Sequence, residues 1–310
     1  MLSRHIPVRR WSGFWLAVAL AACRESSDAP ERTGSDVAEP EPNSEITPAV
    51  YRTSLTFAGF GPEPTVAHLV FENRTGASSL RRAYRGWLAR GESWQTILSL
   101  RDSLPLPRAA WRVLPQQGLL RVHPVQGGEL GSVRIGAPDG PLRLDGGPLI
   151  ADWIGSTGWR ETMRAASLSR AGVAEPGLLL ARRSAWAATD TVPPSVQQYF
   201  VLVDSVGDGL LLLRGGVGAD APATAWTWLE GLESEWPDAV VRSLAAPPGS
   251  AGRWSVQLPD AGIIAELEGG PLAVGEPGGA GEGLRVFRTR GTFLVAGVPR
   301  RLAGIGVEDR

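Results

Sequence analysis

Along most of the chain apolar and polar positions alternate with period two in short stretches, each closed by Gly, Pro, Asn or Asp. Such alternation places one face of an extended segment in a core and the other toward water. It predicts strands at Arg52 to Phe60, Thr65 to Glu72, Leu80 to Leu88, Gln197 to Asp204, Gly209 to Arg214, Thr224 to Leu229, Trp254 to Leu258, Ile263 to Leu267, Leu284 to Thr289 and Thr292 to Ala296, among about nineteen in all. Turn chemistry separates them, as at Pro138-Asp139-Gly140, Asp145-Gly146-Gly147 and Asp208-Gly209. Gln197 to Asp204, a short Gly-bearing loop and Leu210 to Arg214 form the clearest hairpin. Helix is considered at Ala89 to Leu100 and Arg160 to Arg170, but neither sustains a 3.6-residue repeat. The pattern therefore predicts an all-β protein, a barrel or a sandwich.

So many strands exceed one small barrel, and the chain divides near its middle. Gly147 to Glu161 and Gly297 to Glu308 share an apolar stretch, a pair of spaced glycines, further apolar residues and a closing Glu. That similarity suggests two β-rich lobes, 51–180 and 181–310.

Composition narrows the function. The 310 residues carry a net charge of -1 with 20% charged and 43% hydrophobic residues, which excludes a wholesale nucleic-acid binder and a wholly disordered chain. Every basic residue is Arg or His; without Lys, Schiff-base chemistry on a lysine is excluded. The start of the chain reads differently from the rest. Arg4, Arg9 and Arg10 precede a mostly apolar run from Trp11 to Ala22, too short to span a bilayer and arranged as a signal peptide, residues 1–22. Residues 24 to 48 are rich in Asp, Glu, Pro and Ser and hold no aromatic residue, so they are expected to form a disordered tether.

The leader ends in Leu20-Ala21-Ala22-Cys23, which resembles the lipobox of bacterial lipoproteins. The resemblance implies that Cys23 takes a diacylglycerol thioether and becomes the new N-terminus. Multiple acyl chains anchor stably, since each buried CH2 contributes about 0.8 kcal/mol. Arg24 follows the Cys where an inner-membrane retention Asp would stand, so the implied location is the cell envelope, at the outer membrane. Cys23 is the sole Cys, so no intramolecular disulfide is expected, although the compartment would permit one.

The segment Arg290 to Asp309, with its Gly304-Ile305-Gly306-Val307-Glu308 ending, resembles the closing strands of the lipocalin-like hydrolase and carotenoid 1,2-hydratase group. That likeness implies a two-lobed lipocalin-like fold. It departs from the group at Val307, where an aromatic residue is usual, and in lacking an opening Glu-Trp-Trp-Tyr-like segment. Hydratase chemistry therefore does not follow from it.

The sequence holds no nucleophile elbow, no His-Glu-x-x-His and no phosphate loop, and no cofactor or metal is expected. His68 and His123 lie in different predicted strands and read as packed or exposed histidines. The remaining candidates are Asp152, Trp153, Trp159 and Glu161 in the middle of the chain, Trp226 and Trp228 two apart on one strand face, and Glu308 near the end. Carboxylates beside Trp in apolar strands can act as general acids if buried, or they can face water at strand ends. Trp can fill a core or line an apolar cavity. Three functions follow as expectations: binding or handling of an apolar or lipidic small molecule, a carboxylate-dependent hydratase or hydrolase, and a structural envelope lipoprotein that meets another protein at a sheet edge.

Overall fold

The computed structural model describes residues 49–309, apart from 62, 77, 106–115, 118–119, 125–129, 138–139, 155–159, 188–197, 215–222, 230–231 and 274–283. The leader, Cys23 and the tether lie outside the described residues, as does Trp159. The first sheet is built from β1 (Ala49–Gly59), β2 (Val66–Thr75), β3 (Ser79–Arg90), β4 (Ser93–Pro105), β5 (Gln116–Gln117), β6 (Leu120–Pro124), β7 (Leu130–Ala137), β8 (Gly140–Ile154), β9 (Arg160–Arg170) and β10 (Val173–Ala187). The second holds β11 (Gln198–Val203), β12 (Gly209–Arg214), β13 (Ala223–Leu229), β14 (Leu232–Trp236), β15 (Val240–Leu244), β16 (Gly252–Leu258), β17 (Ile263–Leu272), β18 (Leu284–Val295) and β19 (Val298–Asp309).

Their order is β4-β3-β2-β1-β10-β9-β8-β7-β6-β5 and β14-β13-β12-β11-β19-β18-β17-β16-β15, with antiparallel neighbours throughout. The first sheet's last strand ends at Ala187 and the second sheet's first strand begins at Gln198. The two segments with the shared pattern are not equivalent: the first runs from β8 into β9, the second from the β18–β19 turn at Gly297 along β19.

Both stretches considered for helix are strands. Ala89 to Leu100 is the β3–β4 hairpin, which turns at Gly91 with φ of 68°. Positive φ is open to Gly at little cost, so it ends one strand and starts the next where a helix would have run on. Residues 160–170 form β9, held on both sides by β8 and β10. The hairpin expected near 204 is β11–β12, and its turn is fixed by Asp204, whose Oδ1 accepts from the backbone N–H groups of Val206 and Asp208.

Each sheet curls as a half-barrel around its own apolar filling. The first encloses Leu55, Phe57, Leu69, Phe71, Tyr84, Ile135 and Leu179. The second encloses Phe200, Trp254 and Phe287, whose rings pack edge-on or stacked with centroids 4.9 to 6.1 Å apart. The closing glycines of the sequence pattern belong here: a Cβ on Gly306 would collide with the Phe287 ring, and one on Gly304 with the Val201 carbonyl. A third apolar layer lies between the sheets, where β1 runs against β11 and β19. Strand alternation sends successive residues to different layers: on β11, Phe200 and Leu202 enter the lobe, while Tyr199, Val201 and Val203 enter the seam.

Candidate functional site

The seam between the sheets holds a group of buried polar side chains, Ser54, Thr56, His68, Arg85, Glu161 and Arg182. Cross-strand register on the first sheet sets them in two rows. One row runs Trp87, His68, Thr56, Leu180, Met163 and the next Arg85, Val70, Ser54, Arg182, Glu161. Directly opposed residues in an antiparallel sheet stand close enough for their side chains to touch, so the register itself pairs Thr56 with His68 and Arg182 with Glu161. Tyr199 reaches across from the second sheet and joins the two rows.

The result is a chain of contacts through an apolar layer. Arg182 donates from Nε to Glu161 Oε1 at 2.7 Å, with both side chains under 5% exposed. Its guanidinium lies over the Tyr199 ring, 4.6 Å from the centroid. Thr56 Oγ1 is 2.9 Å from the Tyr199 hydroxyl and 2.9 Å from His68 Nδ1. The imidazole stacks on Trp87, with centroids 6.1 Å apart and planes 13° from parallel. Its other nitrogen, Nε2, is fully buried and has no hydrogen-bond partner among the described residues, and the same holds for the indole Nε1 of Trp228.

These surroundings set the charges. Burial, reinforced by the positive charges of Arg182 and Arg52, drives the His68 pKa down from 6.5 to about 3, so the ring is neutral at neutral pH. Burial raises the Tyr199 pKa against the opposing pull of Arg182, and its hydroxyl keeps its proton. Burial disfavours the Arg182 cation too, but Glu161 and then Tyr199 outweigh it and the pKa is raised. The site thus combines one fixed ion pair, a neutral phenol, a bridging hydroxyl and a neutral imidazole. A neutral imidazole presents either a lone pair or an N–H at Nε2, according to which atom of the Thr56–His68 contact donates.

The sequence candidates fall into distinct places. Glu161 belongs to the seam, in its buried rather than its water-facing form. Trp226 and Trp228 are buried in the seam layer on β13, sharing one face as their spacing suggests. Glu308 is also buried, but it is engaged by Arg285 at 2.8 Å, its register partner on β18. The two carboxylates are therefore held by different arginines in different sheets. Asp152 lies at the margin, in a half-exposed pair with Arg160 at 2.9 Å. Trp153 stands in β8 opposite Glu161 in register. Nothing in the sequence singles out Thr56, Arg182 or Tyr199, and His68 reads there as a packed or exposed histidine. A signal exists at His68, the one polar residue between Val66 and Phe71 in the apolar first part of β2.

Two cavities open elsewhere. A cleft of about 710 Å³ lies on the outward face of β16 to β19, walled by Arg253, Glu266, Glu268, Arg290 and Arg301. Its charges are mutually compensated, as in the Arg253–Glu266 pair at 3.0 Å, which marks a solvated surface more than a ligand site. The second, about 350 Å³, lies where the β3–β4 turn of the first sheet meets the 247–250 and 268–271 segments of the second.

No family model matches the sequence, and no curated protein does. Among solved structures, the chain is similar to a candidate AttH from Nitrosomonas europaea, with 13% identity, a TM-score of 0.53, and coverage of 90% of this chain and 98% of that one. It is also similar to kievitone hydratase from Nectria haematococca, at 11% identity and a TM-score of 0.49 over 85% of this chain and 89% of that one. A third likeness, at 10% identity and a TM-score of 0.43, is to CghA with Sch210972, over 84% of this chain and 89% of that one. At 13% identity, what the chain shares with the first of these is the fold, and the chain's own sheets are the all-β, lipocalin-like architecture that the C-terminal strands suggest.

Proposed function

We propose that this protein is a lipid-anchored lipoprotein of the cell envelope, tethered to the outer membrane through Cys23, whose lipocalin-like domain binds an apolar or lipidic small molecule in the seam between its sheets. The observation that carries the reading is the His68 Nε2, fully buried and unpartnered in a layer of Trp87, Trp228, Val66, Val70 and Leu180. A buried polar atom without a partner costs on the order of 1 to 3 kcal/mol, and natural cores rarely keep one without a use for it. A mostly apolar ligand bearing one hydroxyl or carbonyl would fill the layer and satisfy that nitrogen.

A second reading is proton transfer of the hydratase or hydrolase type. The Glu161–Arg182–Tyr199–Thr56–His68 chain favours it, because a hydroxyl shared between a neutral imidazole and a neutral phenol can relay a proton while the Glu161–Arg182 pair holds the phenol in place. In this reading His68 is a neutral relay, exchanging a proton at Nε2 for one at Nδ1 through Thr56, and Tyr199 is the acid at the far end.

Native mass spectrometry of the protein from a lipid-containing host, followed by organic extraction, tests the binding function. A reproducible apolar adduct near one-to-one, lost in His68→Phe, is the expected result. A clean apo mass and no Trp response across a lipid panel would remove it. The anchor has its own test: radiolabelled palmitate should enter the wild-type protein and not Cys23→Ala.

A further inference from the structure

Arg288 differs from two other buried arginines, Arg182 and Arg82. Arg182 is neutralised by Glu161 and Arg82 by Asp102, each directly opposite in register. Arg288 is 4% exposed and donates from Nη2 to the Pro64 carbonyl at 3.1 Å, while its Nε and Nη1 have no hydrogen-bond partner among the described residues. The nearest carboxylates do not pair with it: Glu92 is taken by Arg290 at 2.6 Å, and Glu63 is exposed and acts only at a distance. Burial and the like charge of Arg290 lower the Arg288 pKa accordingly.

Its position gives this isolated cation a meaning. Register aligns Arg288 with Ile305 and Val201, residues of the seam layer, so β18 presents the guanidinium on the seam-facing side of the second sheet. Both sheets close around it. Pro64 belongs to the β1–β2 connection, and the Trp94 indole at the start of β4 donates to the Pro271 carbonyl at 3.1 Å. Arg288, Arg290, Glu92 and Pro271 line the cavity of about 350 Å³ at this end of the seam. Trp94, bonded to the cavity residue Pro271, packs against the same apolar layer as Trp87, which links this cavity to the seam.

We infer that Arg288 forms an oxyanion site, which receives the carboxylate or phosphate head of an amphiphilic ligand whose apolar body occupies the seam. The inference rests on the proposed apolar-ligand function and adds the chemical class, an acid. Nε and Nη1 lie on different edges of the planar guanidinium, and the edge that the Pro64 carbonyl leaves open joins one of them to the second N–H of Nη2, a two-point donor set for the oxygens of a carboxylate or phosphate. The Arg290–Glu92 pair closes the cavity wall without competing for the anion, because its charges cancel.

The test uses dodecanoate and 1-dodecanol as monomers at pH 8 with the full chain, read by Trp fluorescence, together with inorganic phosphate read by thermal unfolding against chloride at equal ionic strength. Wild type is expected to bind dodecanoate roughly ten-fold or more tighter than dodecanol, the worth of a charge-assisted contact. Arg288→Met is expected to erase that preference, keep the dodecanol affinity and unfold at an equal or higher temperature, since it removes an uncompensated buried charge. Equal affinities in wild type, or a preference that survives in Arg288→Met, would overturn the acid-head assignment and leave the apolar seam standing. If neither amphiphile binds, the seam function fails and phosphate decides for Arg288. A phosphate-dependent rise that Arg288→Met abolishes supports a free-oxyanion site, and no rise overturns it.

Discussion

The interior of the second lobe and the seam share the strand β11, yet they are built on opposite principles. Phe200 and Leu202 point into a layer of Trp254, Val256, Leu258, Phe287 and Phe293, where aromatic rings meet edge-on. Tyr199, one residue away, enters a layer that buries an ion pair, a bridging threonine and an imidazole with one nitrogen unsatisfied. Apolar layers of this kind gain stability from dispersion and exclusion of water, while buried polar groups with unmet hydrogen bonds subtract from it. The aromatic cluster of the second lobe is a stabilising layer, while the seam carries the linked chain from Glu161 to His68.

The largest expected effect tests the stabilising half of that contrast. Phe200→Ala should destabilise the protein by about 3 to 5 kcal/mol in urea unfolding, because the ring touches both Trp254 and Phe287 and the lobe can collapse only partly. A loss below about 1 kcal/mol would mean that the lobe interior is not the stabilising layer.

In the seam, Glu161→Gln should cost about 3 kcal/mol by leaving Arg182 buried without its counter-charge. The double replacement Glu161→Met with Arg182→Met should recover most of that loss, as measured by a double-mutant cycle. If the single and double variants are equally unstable, the pair does not act as a unit and the seam is less distinct from the lobes than described.

Acid should act on the seam through His68. Its folded pKa of about 3 lies below the ordinary 6.5, so between those values the unfolded chain binds a proton that the native protein refuses. Stability is then complete above pH 6.5 and falls as pH drops, by up to about 1.4 kcal/mol per unit until pH nears 3. The difference between wild type and His68→Asn should change with this slope between pH 6.5 and 5, where the carboxylates stay mostly ionised. A pH-independent difference would place His68 in a wetter setting. At the small end, Arg253→Ala on the outward face should change stability by less than about 0.5 kcal/mol, since its pair with Glu266 is half-exposed.

Much of the scaffold was legible in the sequence because strand alternation and turn chemistry are local. The β11–β12 and β16–β17 hairpins follow from residues within a few positions of one another. The considered helix at Ala89 to Leu100 failed at one residue, Gly91, whose turn converts a weakly periodic stretch into two strands. The site was less legible, for a physical reason. Alternation tells which residues share a face but not which of two faces meets another sheet, and here both are buried. Thr56 and Tyr199 bond across 143 positions, a relation that no local pattern carries. Glu161 was a candidate through its Trp neighbours, whereas its partner Arg182 lay hidden in Leu178-Leu179-Leu180-Ala181-Arg182, a run that reads as core strand.

The central claim, that ligand enters the seam and not the lobes, is tested most directly by the indole N–H resonances in a 1H–15N NMR titration with dodecanoate. Trp87 and Trp228 belong to the seam layer and Trp254 to the second lobe, so assignment by single Trp→Phe variants separates the two regions. The account predicts that the Trp87 and Trp228 indole signals shift with a common affinity while that of Trp254 stays in place. Movement of Trp254 with the seam signals unmoved would contradict it and put the ligand inside the lobe.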